Sequence, residues 1–274
     1  MDINSTTKKL LFNTIRVDTV LEDGSEGSGT AFVVSHAHAR GHHSFIVTNR
    51  HLVDGVRSGG LVFTQKRDGQ PWLGQRFQLN IDDFPQAWFG HPDPAVDLAI
   101  IPMRPLEQAA NNQGVELYYQ AIDSRLVPDE AATRALDALE EVLFVGYPSG
   151  VWDQVNLIPI LRRGTTATPM ALDFEGRAEF LIDAAVYPGS SGSPVFVYLS
   201  DAQRPGQSAG KKFLFVGVVA AVFFREEANH LVAAPVPAHK HGLVMSSEMI
   251  DLGLVIKSQA VVDLINAYLG RWIE

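Results

Sequence analysis

The ten residues YPGSSGSPVF, Tyr187–Phe196, combine a turn dense in glycine and serine with the start of an apolar strand. Gly189, Ser191, Gly192 and Pro194 fall in the order G-x-S-G-x-P. Acyl transfer needs a bend of this kind. A hydroxyl must project from it, and neighbouring backbone N–H groups must aim at the point where a carbonyl oxygen becomes an anion. Glycine lets the chain bend tightly and lets a substrate approach. Ser191 is therefore the candidate nucleophile, and the N–H groups of Gly189 and Ser191 the candidate oxyanion hole. A plain turn between strands has the same composition, and Ser190 and Ser193 compete with Ser191, so the segment needs partners elsewhere.

Two other segments offer them. In SFIVTNRHLVDG (Ser44–Gly55) an apolar strand runs into a turn that begins at His51. A general base must sit on a rigid element, which a strand end provides. In DLAII, Asp97 precedes a strongly apolar strand and can orient an imidazole. Asp93, four residues earlier, is flanked by Pro92 and Pro94 in a turn and is the weaker rival. Taken singly, the histidine also fits a solvated strand end and the aspartate a cap. The three together point to nucleophilic catalysis.

Around these segments the chain reads as short strands broken by turns. Expected strands are Leu10–Val20, Thr30–Ser35, Ser44–Thr48, Leu61–Gln65, Arg76–Ile81, Leu98–Met103, Val142–Gly146, Leu157–Arg162, Glu179–Asp183, Pro194–Leu199 and Phe213–Phe224. They are rich in Val, Ile and Phe, and many are bounded by Gly, Pro, Asp or Ser. That density favours an all-β sandwich or barrels over an alternating βαβ sheet. Helices are expected at Met103–Gln113, Pro128–Glu141 and Ser258–Leu269. In the last, Ser258 can cap, and Ala260, Val261, Leu264, Ile265 and Leu269 form one stripe to pack on the body. Gln120–Glu140 is the expected connection between two halves, and the polar Ser200–Lys212 an expected surface loop.

The order His51, Asp97, Ser191 resembles that of the trypsin-like (chymotrypsin-fold) serine peptidases. TNRHLVDG resembles their histidine box, DLAII their aspartate box and PGSSGSPVF their serine box. GTAFVV (Gly29–Val34) resembles the strand before the histidine, and FVGVVAAV (Phe215–Val222) the strand that walls the substrate cleft. The likeness runs from about Gly27 to Val244 and is nearest to stand-alone bacterial members. It implies two six-stranded antiparallel β-barrels with the triad between them: residues 1–125 carrying His51 and Asp97, residues 126–256 carrying Ser191, and a C-terminal helix in 257–274. It also implies a serine endopeptidase acting on protein or peptide substrates. The digestive members carry an acid before the nucleophile that pairs with an N-terminal amine released by cleavage. Here Ser190 stands there and no Arg/Lys-Ile-Val-Gly-Gly site occurs, so maturation without such cleavage is expected. Ala220 stands where many members place a serine that supports the aspartate. By the same resemblance the primary pocket is walled by Ala185, Val186, Tyr187, Ala220, Ala221 and Val222, which suggests a small apolar side chain before the scissile bond. His239 and His241 near the far wall would instead suit an acidic one.

Composition excludes several other classes. Acidic residues number 31 against 22 basic, a net charge of −9, which repels a nucleic-acid backbone. With no cysteine, disulfides, thiolate metal sites and a Cys nucleophile are impossible. The lack of disulfides and of a secretory leader pattern leads us to expect a cytoplasmic location. No run of eighteen apolar residues suggests a membrane span. His36, His38, His42 and His43 crowd around Arg40-Gly41, which reads as a solvated hairpin tip and not a metal site. Neither metal nor organic cofactor is expected. A ready-made triad suggests control by a partner protein. An esterase with the same triad, and a binding module on a protease-like scaffold, are the competing functions.

Overall fold

The computed structural model describes residues 3–39, 41–199, 213–230 and 243–272. The chain opens with a short helix, α1 (Thr6–Leu10), and then winds a sheet from β1 (Thr14–Leu21), β2 (Glu26–His38), β3 (Gly41–Thr48), β4 (Val56–Arg67) and β5 (Gln70–Ile81). β6 (Phe89–Gly90) and β7 (Ala99–Pro102) complete the path, followed by α2 (Met103–Asn111) and the two-residue strands β8 (Leu117–Tyr118) and β9 (Ile122–Asp123). After α3 (Glu130–Arg134) come β10 (Glu141–Gly146), β11 (Ile160–Thr166), β12 (Glu179–Asp183), β13 (Pro194–Tyr198), β14 (Phe213–His230) and β15 (Leu243–Lys257), and α4 (Gln259–Trp272) ends the chain.

The expectation of two closed six-stranded barrels is met in the second half only. There, β10-β11-β12-β15-β14-β13 close on themselves. The first half is a nine-stranded sheet in the order β5-β4-β1-β2-β3-β7-β6, with β8 added on β4 and β9 on β2, and it does not close. Closure depends on tilt and stagger between strands. Here β6 at the end of the path is only two residues long, too short to bridge back to β5.

Period-two alternation sorts side chains into three cores. On β2, Ala31 and Val33 face the interior of the first sheet while Phe32 and Val34 face the other way. On β13, Val195 and Val197 fill the barrel and Phe196 faces out of it. The outward sets meet in one seam core with Phe45, Leu98, Ile100, Phe215 and Val218. Phe32 and Phe215 touch across it edge to face, with centroids 5.4 Å apart. Burying each such ring stabilises by about 1.5–3 kcal/mol. The α4 stripe Ala260, Val261, Leu264, Ile265 and Leu269 lies in the same core, and Tyr268 packs on Phe45 and Phe89. The helix expected at 258–269 thus exists and seals the seam. The segment Ser200–Lys212 and residues His239 and His241 lie outside the described residues.

Candidate active site

The turn at 187–193 is held by hydrogen bonds within itself and to the strands around it. Ser190 N–H donates to the Tyr187 carbonyl at 2.9 Å, Ser193 N–H to the Ser190 carbonyl at 2.9 Å and Gly192 N–H to the Val219 carbonyl at 2.8 Å. Tyr187 N–H donates to the Ser190 hydroxyl at 3.2 Å. Pro188 has no N–H. The N–H groups of Gly189 and Ser191 alone in this stretch have no partner among the described residues. Two glycines make the bend possible. Gly189 and Gly192 both have φ +82°, and a Cβ on Gly192 would meet the Thr30 carbonyl oxygen at 1.8 Å.

Thr30, wholly buried on β2, joins this turn to the first sheet. Its N–H donates to the Ser191 carbonyl at 3.0 Å and its hydroxyl to the Gly189 carbonyl at 3.0 Å. The same hydroxyl accepts from Tyr147 N–H at 3.1 Å, and the Thr30 carbonyl accepts from the Thr48 hydroxyl at 2.7 Å. Thr48 ends β3, and His51 follows in a single 3-10 turn, Arg50–Leu52. The pairing of β2 with β3, Phe32 opposite Val47, therefore carries His51 toward the end of the sheet where Ser191 is tied.

Asp97 holds His51 twice. Its Oδ2 lies 2.6 Å from His51 Nδ1, and its Oδ1 accepts the His51 backbone N–H at 2.9 Å. The contact fixes Nδ1 as the protonated nitrogen and leaves Nε2 free to accept. Buried Asn49 donates through Nδ2 to the Asp97 carbonyl at 2.8 Å, so the carboxylate is fixed from its backbone as well. Ala220 has no side-chain group to support Asp97, but its carbonyl accepts the Ser191 hydroxyl at 3.4 Å. That is a long bond, and no hydrogen bond joins Ser191 to His51.

Of the residues expected at the pocket, Ala185, Tyr187 and Ala221 are exposed. Val186 is buried in the barrel core, Val222 packs partly against it, and Ala220 is buried in the seam. A polar groove of about 670 Å³ opens on the first sheet, lined by Asp18, Glu26, Ser28, Gln78 and Asp82 among others, and by none of His51, Asp97, Gly189 and Ser191. It reaches Ser28, two residues from Thr30. Among the described residues no group of His, Asp and Glu is arranged to hold a metal; the four-histidine run lies on the β2–β3 hairpin, His38 opposite Gly41. Among the described residues no helix is long and apolar enough to cross a membrane.

Sequence reasoning missed Thr30, Asn49 and Arg162. Arg162 adjoins Arg163 in the sequence. On β11 it takes the inward parity, between exposed Leu161 and Arg163, and that parity was the available signal.

A trypsin-like peptidase domain model matches residues 29–199. The match covers more than half of the chain, which therefore belongs to the trypsin-like peptidase family and is a serine-type endopeptidase, a hydrolase. Among solved structures, HL collagenase is similar at 14% identity, covering 96% of this chain and 95% of that one with a TM-score of 0.50. The structure of GrC is similar at 12% identity, with 97% and 96% covered and a TM-score of 0.50. The thermostable serine protease AL20 from an extremophilic microorganism is 13% identical, with 94% and 97% covered and a TM-score of 0.48. The first two likenesses are of fold: a mostly β, chymotrypsin-like architecture. No curated protein sequence matches the chain.

Proposed function

We propose that this peptidase works through an acyl-enzyme, with Ser191 as nucleophile, His51 as proton carrier and Asp97 as the orienting carboxylate, in a cleft between the units 1–125 and 126–256. The observation that carries the reading is the pair of unengaged N–H groups, Gly189 and Ser191, in a turn whose other backbone N–H groups are all used. Donors left open beside a hydroxyl suit a charge that develops only during reaction. The doubly held His51 supports the base assignment.

In the reaction the Ser191 hydroxyl leaves the Ala220 carbonyl and turns to His51 Nε2; catalytic hydrogen bonds commonly tighten only when substrate arrives. As Oγ bonds to the substrate carbonyl carbon, its proton passes to Nε2 and the carbonyl oxygen becomes an anion facing the Gly189 and Ser191 amides. When the C–N bond breaks, the imidazolium returns that proton to the leaving amine. Water then attacks the ester by the same route and frees Ser191. Beyond Val219 the side of β14 away from β15 pairs with no strand among the described residues, which suits an extended peptide added as a strand. The small exposed side chains of Ala185 and Ala221, with half-buried Val222, support a small apolar residue before the scissile bond.

Ser191→Ala should lower peptidase activity by roughly a millionfold and abolish labelling by a fluorophosphonate. Full activity in that variant rules the assignment out, and a wild type that never labels makes the chain a binding module. A peptide-library digest separates peptidase from esterase and reads the pocket preference.

A further inference from the structure

We propose that Arg162 is a positioning residue that holds the oxyanion turn in its working shape, so that the site is assembled by an internal side chain and not by a processed chain end. The inference rests on the reading of Gly189 and Ser191 as the oxyanion donors. Arg162 Nη1 donates to the Ala185 carbonyl at 2.9 Å and Nη2 to the Ser190 hydroxyl at 2.9 Å. The fork thus grips both ends of the segment that carries Gly189 and leads into Ser191. The Ser190 hydroxyl relays the grip inward by accepting Tyr187 N–H. Behind the fork, the guanidinium lies over the Phe144 ring, 4.4 Å from its centroid, which fixes its plane against the barrel.

An arginine here is costly unless it does something. Among the described residues it pairs with no carboxylate, and its Nε is buried without a partner. Burial pushes its pKa down from the usual arginine value, the expected penalty for a cation in such a place. A leucine would fill the same inward position of β11 without that penalty. What leucine cannot supply is a rigid planar fork spanning two acceptors five residues apart in sequence. The buried, hydrogen-bonded Ser190 is the matching half. Here a neutral hydroxyl receives a side-chain cation, where digestive relatives pair an acid with a cleaved N-terminus.

The test compares Arg162→Ala, Arg162→Lys and Ser190→Ala on the full chain, with melting temperature, kcat and KM on a peptide substrate. Arg162→Ala should keep a cooperative melt, lose about a hundredfold or more in kcat and change KM little, because the lost contacts act on the transition-state oxyanion. Millimolar guanidinium chloride should restore at least about tenfold of that kcat, and Arg162→Lys should fall between the two. A folded Arg162→Ala with wild-type kcat, or with a deficit that guanidinium leaves untouched, overturns the proposal. Should Arg162→Ala fail to fold, Ser190→Ala decides: a folded Ser190→Ala must show the same kcat-selective loss, and wild-type kcat there overturns it equally. Activity surviving in Ser191→Ala would instead sink the site reading itself, whatever Arg162 does.

Discussion

The N–H of Thr30 donates to the carbonyl of Ser191 across 3.0 Å, so a residue of the first sheet holds the candidate nucleophile of the barrel. The Thr30 hydroxyl makes two further bonds across the same seam, to Gly189 and Tyr147 of the second half. Thr30→Val keeps the shape and removes those two bonds. It should cost about 1–3 kcal/mol, since buried polar groups are left unpaired, and it should lower kcat through the loosened Gly189. Denaturant titration with steady-state kinetics reads both. Unchanged stability would mean that the hydroxyl bonds are not formed in solution.

Two glycine substitutions form a matched pair. Gly24 and Gly192 both have positive φ, +84° and +82°, so alanine strains both backbones. A Cβ at Gly24 meets nothing within 4 Å, whereas at Gly192 it meets the Thr30 carbonyl at 1.8 Å. Gly24→Ala should therefore cost about 1 kcal/mol and keep activity. Gly192→Ala should abolish activity and lower stability by at least about 3 kcal/mol, measured by thermal melting and labelling.

Asp97→Asn should leave the fold intact and lower kcat by about ten-thousandfold, the fall known for this change in other triad enzymes. The backbone N–H of His51 can still reach an amide oxygen, so the ring stays near its place, but Nδ1 loses its anionic partner. A variant within about tenfold of wild type at neutral pH would remove Asp97 from the mechanism.

His36 gives a stability prediction far from the site. It is half-buried, with Nδ1 2.9 Å from the Ser124 hydroxyl. Burial lowers its pKa, and His38 and His43 add to this. A hydrogen bond to Asn266 of α4 and the charge of Asp123 oppose the shift. With the folded pKa below the ordinary 6.5, the unfolded chain binds the extra proton between the two values. The stabilising contribution is therefore complete above about pH 6.5 and is lost as pH falls through the lowered value. Melting curves from pH 8 to pH 5 should show this loss, and His36→Gln should flatten it. An identical slope in the variant would refute the assignment to His36.

Much of the fold was legible because it rests on local pattern. The strand Glu179–Asp183 has the boundaries its short apolar run predicts, and the stripe on α4 predicts both the helix and its buried face. β15 escaped because Ser246, Ser247, Glu248 and Asp251 interrupt its apolar run; it exists through its long pairing with β14, which one strand's sequence does not display. The alanines of 128–141 suggest a long helix, but without an apolar stripe only Glu130–Arg134 forms. Beyond it Glu140 is buried and turns the chain, accepting Asp137 N–H while its own N–H donates to Thr166. Leu10 and Val20, expected on one strand, are separated by the end of α1. The three candidate segments stood out because glycine bends and strand ends are local features. Thr30 and Arg162 did not, since their roles depend on what faces them across sheets.

The bonds that converge on Thr30 also limit how this peptidase can be controlled. A clamshell motion that parted the sheet from the barrel would break the link to Ser191 and the link to Gly189 together, and would dismantle the candidate nucleophile turn in the act of exposing it. Inhibition is therefore easier by blocking the proposed cleft from outside, with a plug or a folded-over segment, than by prying sheet and barrel apart.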